Sequence, residues 1–363
     1  MTAWDDGKNG RRHVLRRLIG TAGLTARAAD RDDTRGLKWY FASNQQRLDS
    51  GHGLNLRLAV LSARRNTRLR PHLITTGFRN DLTEWMEAHG VTVIPGRQPM
   101  AETIRAGEAA GRYHTRYLGH WLRCEVPMLE EEDPFVLYTD FDVVFLRDVP
   151  LPSRPPRYIA CAPEFRPDGW HYFNSGAMVM NVANMRRSFP EFLRSAKHQI
   201  DTLDGRILND QYAYNNFYAG RWNRLDLRYN WKPYWGDPSE ARILHFHGPK
   251  LHNVRAMYTQ PLPWEQPYWR TLASLVASFP DGYRAAFEAV FAATEGTDLP
   301  ERAWIREIAD RLATQPPPVP PEIVDLGFFN NDYGKLGFDA RWPLDERIHY
   351  AIRRWRLRRR QNA

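Results

Sequence analysis

The chain has 363 residues, 42% hydrophobic and 26% charged, the composition of a folded globular protein with one large domain or two modest ones. Its net charge of +9 is concentrated at the ends. Residues 341–360 hold eight arginines against Asp345 and Glu346, and residues 1–36 hold eight basic against five acidic residues. That leaves 37–340 near neutral and argues against a nucleic-acid-binding body.

The two cysteines, Cys124 and Cys161, lack CxxC spacing. They support neither a disulfide scaffold nor a zinc site and fit free thiols in a reducing compartment. No run of about 18–20 apolar residues offers a membrane span. The basic start "GRRHVLRRLIG" lacks the apolar core of a signal peptide, so a cytoplasmic location is expected.

In chain order, residues 1–36 read as a basic, loosely ordered leader. "LKWYFA" (37–42) is the first strand and runs into the polar "SNQQ". "RPHLITTG" is a second apolar segment. "DLTEWMEAHG" reads as a short amphipathic helix capped by Asp81 and stopped by Gly90, and "VTVIPG" as the next strand. This alternation predicts a parallel sheet covered by helices. A helical stretch over 114–131 feeds "FVLYTDFDVVFLRD" (135–148), an apolar run that reads as a buried strand with Asp140 and Asp142 in its middle. The pair lies at or just past the C-terminal end of the strand "FVLYTD", where open α/β sheets bind ligands. "PRYIACAPE" and "NSGAMVMN" read as strands and "VANMRRSFPEFLRSAKHQI" as a helix. "NDQYAYNNFYAG" is a short helix stopped by Gly220, and "ARILHF" a further strand. Residues 266–314 are mostly helical, closing a catalytic domain over 37–314. The last segment, 315–363, joins the Pro-rich hinge "QPPPVPPE" to a basic amphipathic tail. In that tail Leu344, Ile348, Ile352 and Trp355 recur at helical spacing.

Four stretches carry chemistry. On a strand, residues i and i+2 share a face, so Asp140 and Asp142 would point together. Hard cations such as Mg²⁺ and Mn²⁺ take carboxylate oxygens and are often completed by substrate phosphates. The bland alternative is a turn cap and a surface ion pair. Asn174-Ser175-Gly176 precedes a strand: Asn and Ser donate to hydroxyls and phosphates, and Gly176 permits close backbone approach. The alternative is a polar turn. Asp210 is either a helix N-cap or, with Gln211, faces a reacting carbon. In "ILHFHGPK", His245 and His247 share a face if the strand continues. One could join the carboxylates on a borderline metal, Gly248 would turn the chain and Lys250 would meet a phosphate.

In this order, "LYTDFDVVFL", "FNSGAMVMN", "NDQYAYNNFYAGRWNRLDLRYNW" and "LHFHGPK" resemble the family 8 retaining glycosyltransferases, the glycogenin and bacterial lipopolysaccharide galactosyltransferase group. The resemblance covers roughly residues 37–250. It implies an α/β GT-A (nucleotide-diphospho-sugar transferase) fold, a mixed, mainly parallel sheet flanked by helices, here with a helical C-terminal extension. It also implies an Mn²⁺- or Mg²⁺-dependent enzyme that moves a sugar from a nucleotide-sugar, most often UDP-linked, to a glycan or glycolipid with retention. By position, Asp140, Asp142 and His245 would be metal ligands. Asn44, Arg123, Asp140, Asn174, Ser175, Gly176, Gly248 and Lys250 would hold the donor, with Ser43 beside Asn44. Asp210 and Gln211 would lie under the anomeric carbon, Asp210 being a conceivable nucleophile.

Two departures stand out. Lys250 follows Gly248 by two residues where the family's lysine follows by three, with Leu251 in place of a proline. The N-terminal strand, which in the family ends in acidic or amide residues that bind the base, here ends in "FASNQQ", offering Ser43 and Asn44 to a uracil. Rival expectations are an inverting enzyme of the same fold and a non-catalytic nucleotide-sugar- or carbohydrate-binding protein. The tail over 341–360 could lie on an anionic membrane surface or pack on its own domain. Trp231, Tyr234 and Trp235 could stack an acceptor sugar or belong to the core.

Overall fold

The computed structural model describes residues 36–44, 53–202, 209–327 and 355. The leader expected over 1–36 and the tail over 341–360 thus lie outside the described residues, apart from Gly36 and Trp355. The strands are β1 (Lys38–Ser43), β2 (Arg70–Thr75), β3 (Thr92–Pro95), β4 (Phe135–Thr139), β5 (Val143–Phe145), β6 (Ile159–Pro163), β7 (Phe173–Asn181), β8 (Asn223–Arg224) and β9 (Ile243–His245). The helices are α1 (Gly53–Asn66), α2 (Asp81–Ala88), α3 (Ala101–Ala109), α4 (Val126–Leu129), α5 (Val182–Thr202), α6 (Asp210–Phe217), α7 (Leu251–Thr259), α8 (Pro267–Ser278), α9 (Pro280–Ala293) and α10 (Arg302–Thr314). A 3₁₀ segment over Thr115–Glu125 precedes α4. Among the described residues no helix is long and apolar enough to cross a membrane.

Seven strands form one sheet in the order β3-β2-β1-β4-β7-β6-β8. β1 pairs in parallel with β2 and β4, and β2 with β3. β7 runs antiparallel to both β4 and β6, while β8 is parallel to β6. The expected mixed, mainly parallel sheet flanked by helices is what the chain forms. Because only β7 is reversed, the C-terminal ends of β1, β4 and β6 meet the N-terminal start of β7 along one edge. The strand order also reverses between β1 and β4, the place where open α/β sheets bind ligands.

Alternation along the strands sorts the core. Trp39, Phe41, Leu73, Leu137 and Val179 pack on one face of the sheet. Tyr40, Ala42, Ile74, Tyr138 and Met178 pack on the other, against Trp121 and Phe192. Burial of each large aliphatic or Phe side chain among them stabilises the fold by about 1.5–3 kcal/mol. A third cluster joins β5 and β9, through Val144 and Leu244, and Phe246 just past β9, to α7–α10. Ile323, past the Pro-rich stretch, is buried in this cluster, and its carbonyl accepts from Ser274 Oγ at 3.3 Å.

Four local expectations are corrected. Residues 135–148 are not one strand. β4 ends at Thr139 and β5 begins at Val143 in a separate two-stranded sheet with β9. The chain leaves the main sheet at Asp140, so its carboxylates lie in a connection and not in a pleat. Asn174, Ser175 and Gly176 do not precede β7; they are its second to fourth residues, all buried. The strand carrying His245 ends there, so His247 does not share its face by strand periodicity. Asn80, not Asp81, caps α2, in a reciprocal capping box with Thr83. Either Asx side chain can cap, and the one with extended backbone geometry does so.

Candidate functional site

Two pairings bring distant segments together. In the main sheet Thr139 pairs with Ala177, and the Asp140 amide donates to the Gly176 carbonyl at 2.9 Å. In the small sheet Val143 pairs with His245, and the Phe246 amide donates to the Asp142 carbonyl at 2.9 Å. Asp140 is thereby fixed beside β7 and Asp142 beside the end of β9. Ligand atoms of Asp140, Asp142 and His245 all lie within 4.8 Å of one another. The two aspartates converge through a turn and two registers, not through strand periodicity.

Gly176 makes this approach possible. A Cβ there would collide with His245 Cε1 and would lie 2.8 Å from Asn174 Oδ1 and 2.9 Å from Asp140 Oδ2. Its role is space, not a left-handed backbone. Gly248 does adopt the left-handed region, with φ of +83°, turning the chain after β9 so that Lys250 returns to the cluster. The Lys250 ammonium bonds Asp142 Oδ2 and donates to the Phe246 carbonyl at 2.7 Å.

Arg123, at the end of the 3₁₀ segment, is buried and joins three elements. Its guanidinium donates to Asp140 Oδ1 at 2.7 Å and to the Ser175 carbonyl and hydroxyl at 2.8 and 2.7 Å. Its Nε lies 2.7 Å from Asp210 Oδ2. Asp210 is the first residue of α6, and the capping role belongs to Asn209, whose side chain accepts from the Tyr212 amide. Asp210 is thus released from capping and placed at the positive end of the helix. Burial opposes its ionisation, but Arg123 outweighs burial and holds the carboxyl below its usual range. Gln211 Oε1 accepts from the Ser175 amide at 2.9 Å and from Asn174 Nδ2 at 3.2 Å.

The test of a metal is whether a buried polar atom is left without a partner. Asp142 Oδ1 is buried, and neither a backbone amide nor the Lys250 ammonium donates to it. His245 Nε2 faces it at 3.3 Å, while His245 Nδ1 lies 2.8 Å from the amide oxygen Asn230 Oδ1. An amide oxygen only accepts, so Nδ1 carries a proton, and in the neutral imidazole Nε2 turns a lone pair towards the carboxylate. Burial lowers the imidazole pKa further. Burial also opposes a charge on Asp142, yet the Lys250 ammonium holds that carboxyl well below its ordinary value. A carboxylate oxygen opposite an imidazole lone pair, with Asp140 in reach, is a donor set that fits a hard or borderline divalent cation.

A cavity of about 320 Å³ opens here. It gathers Asn44, Arg123, Asp140, Asp142, Asn174, Ser175, Asp210, Gln211, His245 and Lys250 on one wall system, whereas Gly176 and Gly248 do not line it. His247 belongs to a neighbouring group. Its Nε2 lies 3.2 Å from Glu164 Oε1, and its Nδ1 2.6 Å from the Tyr234 hydroxyl. Glu164 lines the cavity but escaped the sequence reading, although it directly follows β6 and the strand-end rule that singled out Asp140 applies to it equally. Its carboxyl is buried, which opposes charge, but His247 and Asn174 hold it below its usual range. Asn230, wholly buried behind His245, carried no sequence signal. Trp231, Tyr234 and Trp235 do not line the cavity; Tyr234 is buried, and the two indoles donate to the carbonyls of Gly236 and Phe165.

No protein-family model matches the chain, and no curated protein does. Among solved structures the chain is similar to the galactosyltransferase LgtC in complex with donor and acceptor sugar analogs. The identity is 17% and the TM-score 0.47, covering 79% of this chain and 98% of that one. It is similar to the glycosyltransferase GlyE of Streptococcus pneumoniae TIGR4, at 17% identity and TM-score 0.42, over 58% of this chain and 55% of that one. It is also similar to mouse xyloside xylosyltransferase 1, at 15% identity and TM-score 0.41, over 63% of this chain and all of that one. These neighbours are glycosyltransferases, and the likeness is distant enough that any assignment rests on the site's own geometry.

Proposed function

We propose that the protein is a divalent-metal-dependent glycosyltransferase that takes its sugar from a nucleoside-diphosphate donor, UDP-linked by the sequence resemblance, and passes it to a glycan or glycolipid with retention of configuration. The observation that carries this reading is the convergence of Asp140, Asp142 and His245, with the buried Asp142 Oδ1 facing His245 Nε2 at 3.3 Å. It lies at the sheet edge where the strand order reverses, with two fixed cations, Arg123 and Lys250, on the same cavity.

Asp140, Asp142 and His245 would hold the cation. When bound, it supplies Lewis-acid neutralisation of a leaving diphosphate. Lys250 would exchange Asp142 for a phosphate oxygen and add fixed positive charge. The Ser175 hydroxyl would orient a donor hydroxyl, with Asn174 held beside it on the cavity wall by Glu164 and Gln211. Arg123 keeps Asp210 ionised and aimed into the cavity, where a carboxylate stabilises positive charge on the anomeric carbon. Asp142→Asn is expected to lose most transfer activity in excess Mn²⁺; turnover near that of the unaltered enzyme would overturn the metal assignment.

One observation favours a second reading. The Glu164 carboxylate, paired with His247 on the cavity wall, could act as the base that an inverting enzyme needs. The anomeric configuration of the product decides between the two.

A further inference from the structure

The metal-ligand cluster and the Glu164–His247 pair occupy the same cavity wall, and a line of hydrogen bonds connects them. Each link has a fixed direction. Glu164 Oε2 takes a hydrogen bond from Asn174 Nδ2 at 2.8 Å, and an ionised carboxylate only accepts. That turns Asn174 Oδ1 towards two donors, the Gly176 amide at 3.0 Å and Asn230 Nδ2 at 3.0 Å. Asn230 therefore presents Oδ1 to His245 Nδ1 at 2.8 Å. Reversing the Asn174 amide would set oxygen against the Glu164 carboxylate and an N–H against the Gly176 N–H. Both orientations are thus over-determined, and the proton on His245 has one place to go.

We propose that Asn230 is a positioning residue for this site: its amide, aligned by Asn174 and Glu164, locks His245 in the Nδ1–H tautomer and keeps Nε2 open to a divalent cation. The tautomer lock stands on the hydrogen bonds alone; its consequence for the cation rests on the metal-dependent reading above. Partners behind a ligating histidine fix its tautomer and ring orientation, and their loss weakens metal affinity by about 10–100-fold. Asn230 does this from a loop position with no exposed surface.

The test uses the full chain with ¹⁵N-labelled histidine, first without metal, and His245→Gln to assign the resonance. The unaltered protein and Asn230→Asp, which keeps an acceptor opposite Nδ1, are expected to show Nδ1–H at His245. Asn230→Leu is expected to show a mixture that includes Nε2–H. Mn²⁺ affinity in the presence of UDP, GDP or CDP should fall by about 10–100-fold in Asn230→Leu and by less in Asn230→Asp, which keeps the acceptor to His245 but loses the N–H to Asn174. An Nε2–H tautomer in the unaltered protein overturns the proposal without any variant, so misfolding of Asn230→Leu does not protect it. A folded Asn230→Leu with unchanged tautomer and affinity overturns it as well. Failure of the unaltered protein to bind Mn²⁺ with any of the three nucleotides would overturn the proposed function, while an Asn230-dependent tautomer would still uphold the lock.

Discussion

At the residue scale, the site depends on atoms being close where side chains would ordinarily intrude. Gly176 is the clearest case, because any Cβ there meets the His245 ring and two oxygen atoms at once. Gly176→Ala should cost about 1–3 kcal/mol of stability through overpacking and a larger share of function. Metal-dependent nucleotide binding should weaken at least about tenfold, measured by calorimetry on protein that denaturation shows to be folded. Unchanged binding would mean that Asp140 and His245 do not act on one ligand. Arg123 shows the complementary device, one guanidinium serving Asp140, Asp210 and Ser175. Buried carboxylates are tolerated because such a partner is present.

At the element scale, α6 places Asp210 by surrendering the cap to its neighbour. Asn209→Ala should destabilise the protein by about 0.5–2 kcal/mol, whereas Asn209→Ser should be nearly neutral in urea denaturation. Equal losses for both would show that the side-chain oxygen is not the stabilising group. What the sequence reveals and conceals here has physical causes. Strand ends, Gly stops and helix starts leave local marks, so β1, β4, β7 and α6 were legible to within a few residues, as were Asp140, Asn174 and Asp210 at their ends. Pairing between Val143 and His245 joins residues about a hundred positions apart, and no periodicity encodes it. The break between β4 and β5 was hidden for the same reason, since an apolar run looks alike whether it stays in one sheet or passes to another. Asn230 was invisible because a lone buried amide in a loop has neither period nor motif.

At the scale of the whole molecule, buried ionisable groups make stability depend on pH. Asp142, Asp210 and Glu164 all have carboxyl pKa values held below the ordinary range, with Lys250, Arg123 and His247 respectively overcoming the opposing effect of burial. A depressed folded-state value means that this stability is fully present above about pH 4, the unfolded range, and is lost as pH falls through the folded values. Lys232 acts at the other end. It is fully buried, its ammonium donates to the Pro163 carbonyl at 2.7 Å, and burial lowers its pKa to about 7. The unfolded lysine titrates near 10.4. Between these values the unfolded state binds more protons, so stability should rise with pH. The urea midpoint should therefore increase from pH 7 to 9, and Lys232→Met should remove that increase; a rise that persists in the variant would assign it to other groups.

The central claim is a donor site completed by a divalent cation. Calorimetry of the purified protein with UDP, GDP and CDP, each with and without Mn²⁺ and repeated on Asp142→Asn, tests it most directly. One diphosphate should bind tightly, only with Mn²⁺ and only with Asp142 intact, and its identity would name the donor nucleotide. Absence of metal-dependent binding to all three would contradict the account and leave Asp140, Asp142 and His245 as a structural cluster.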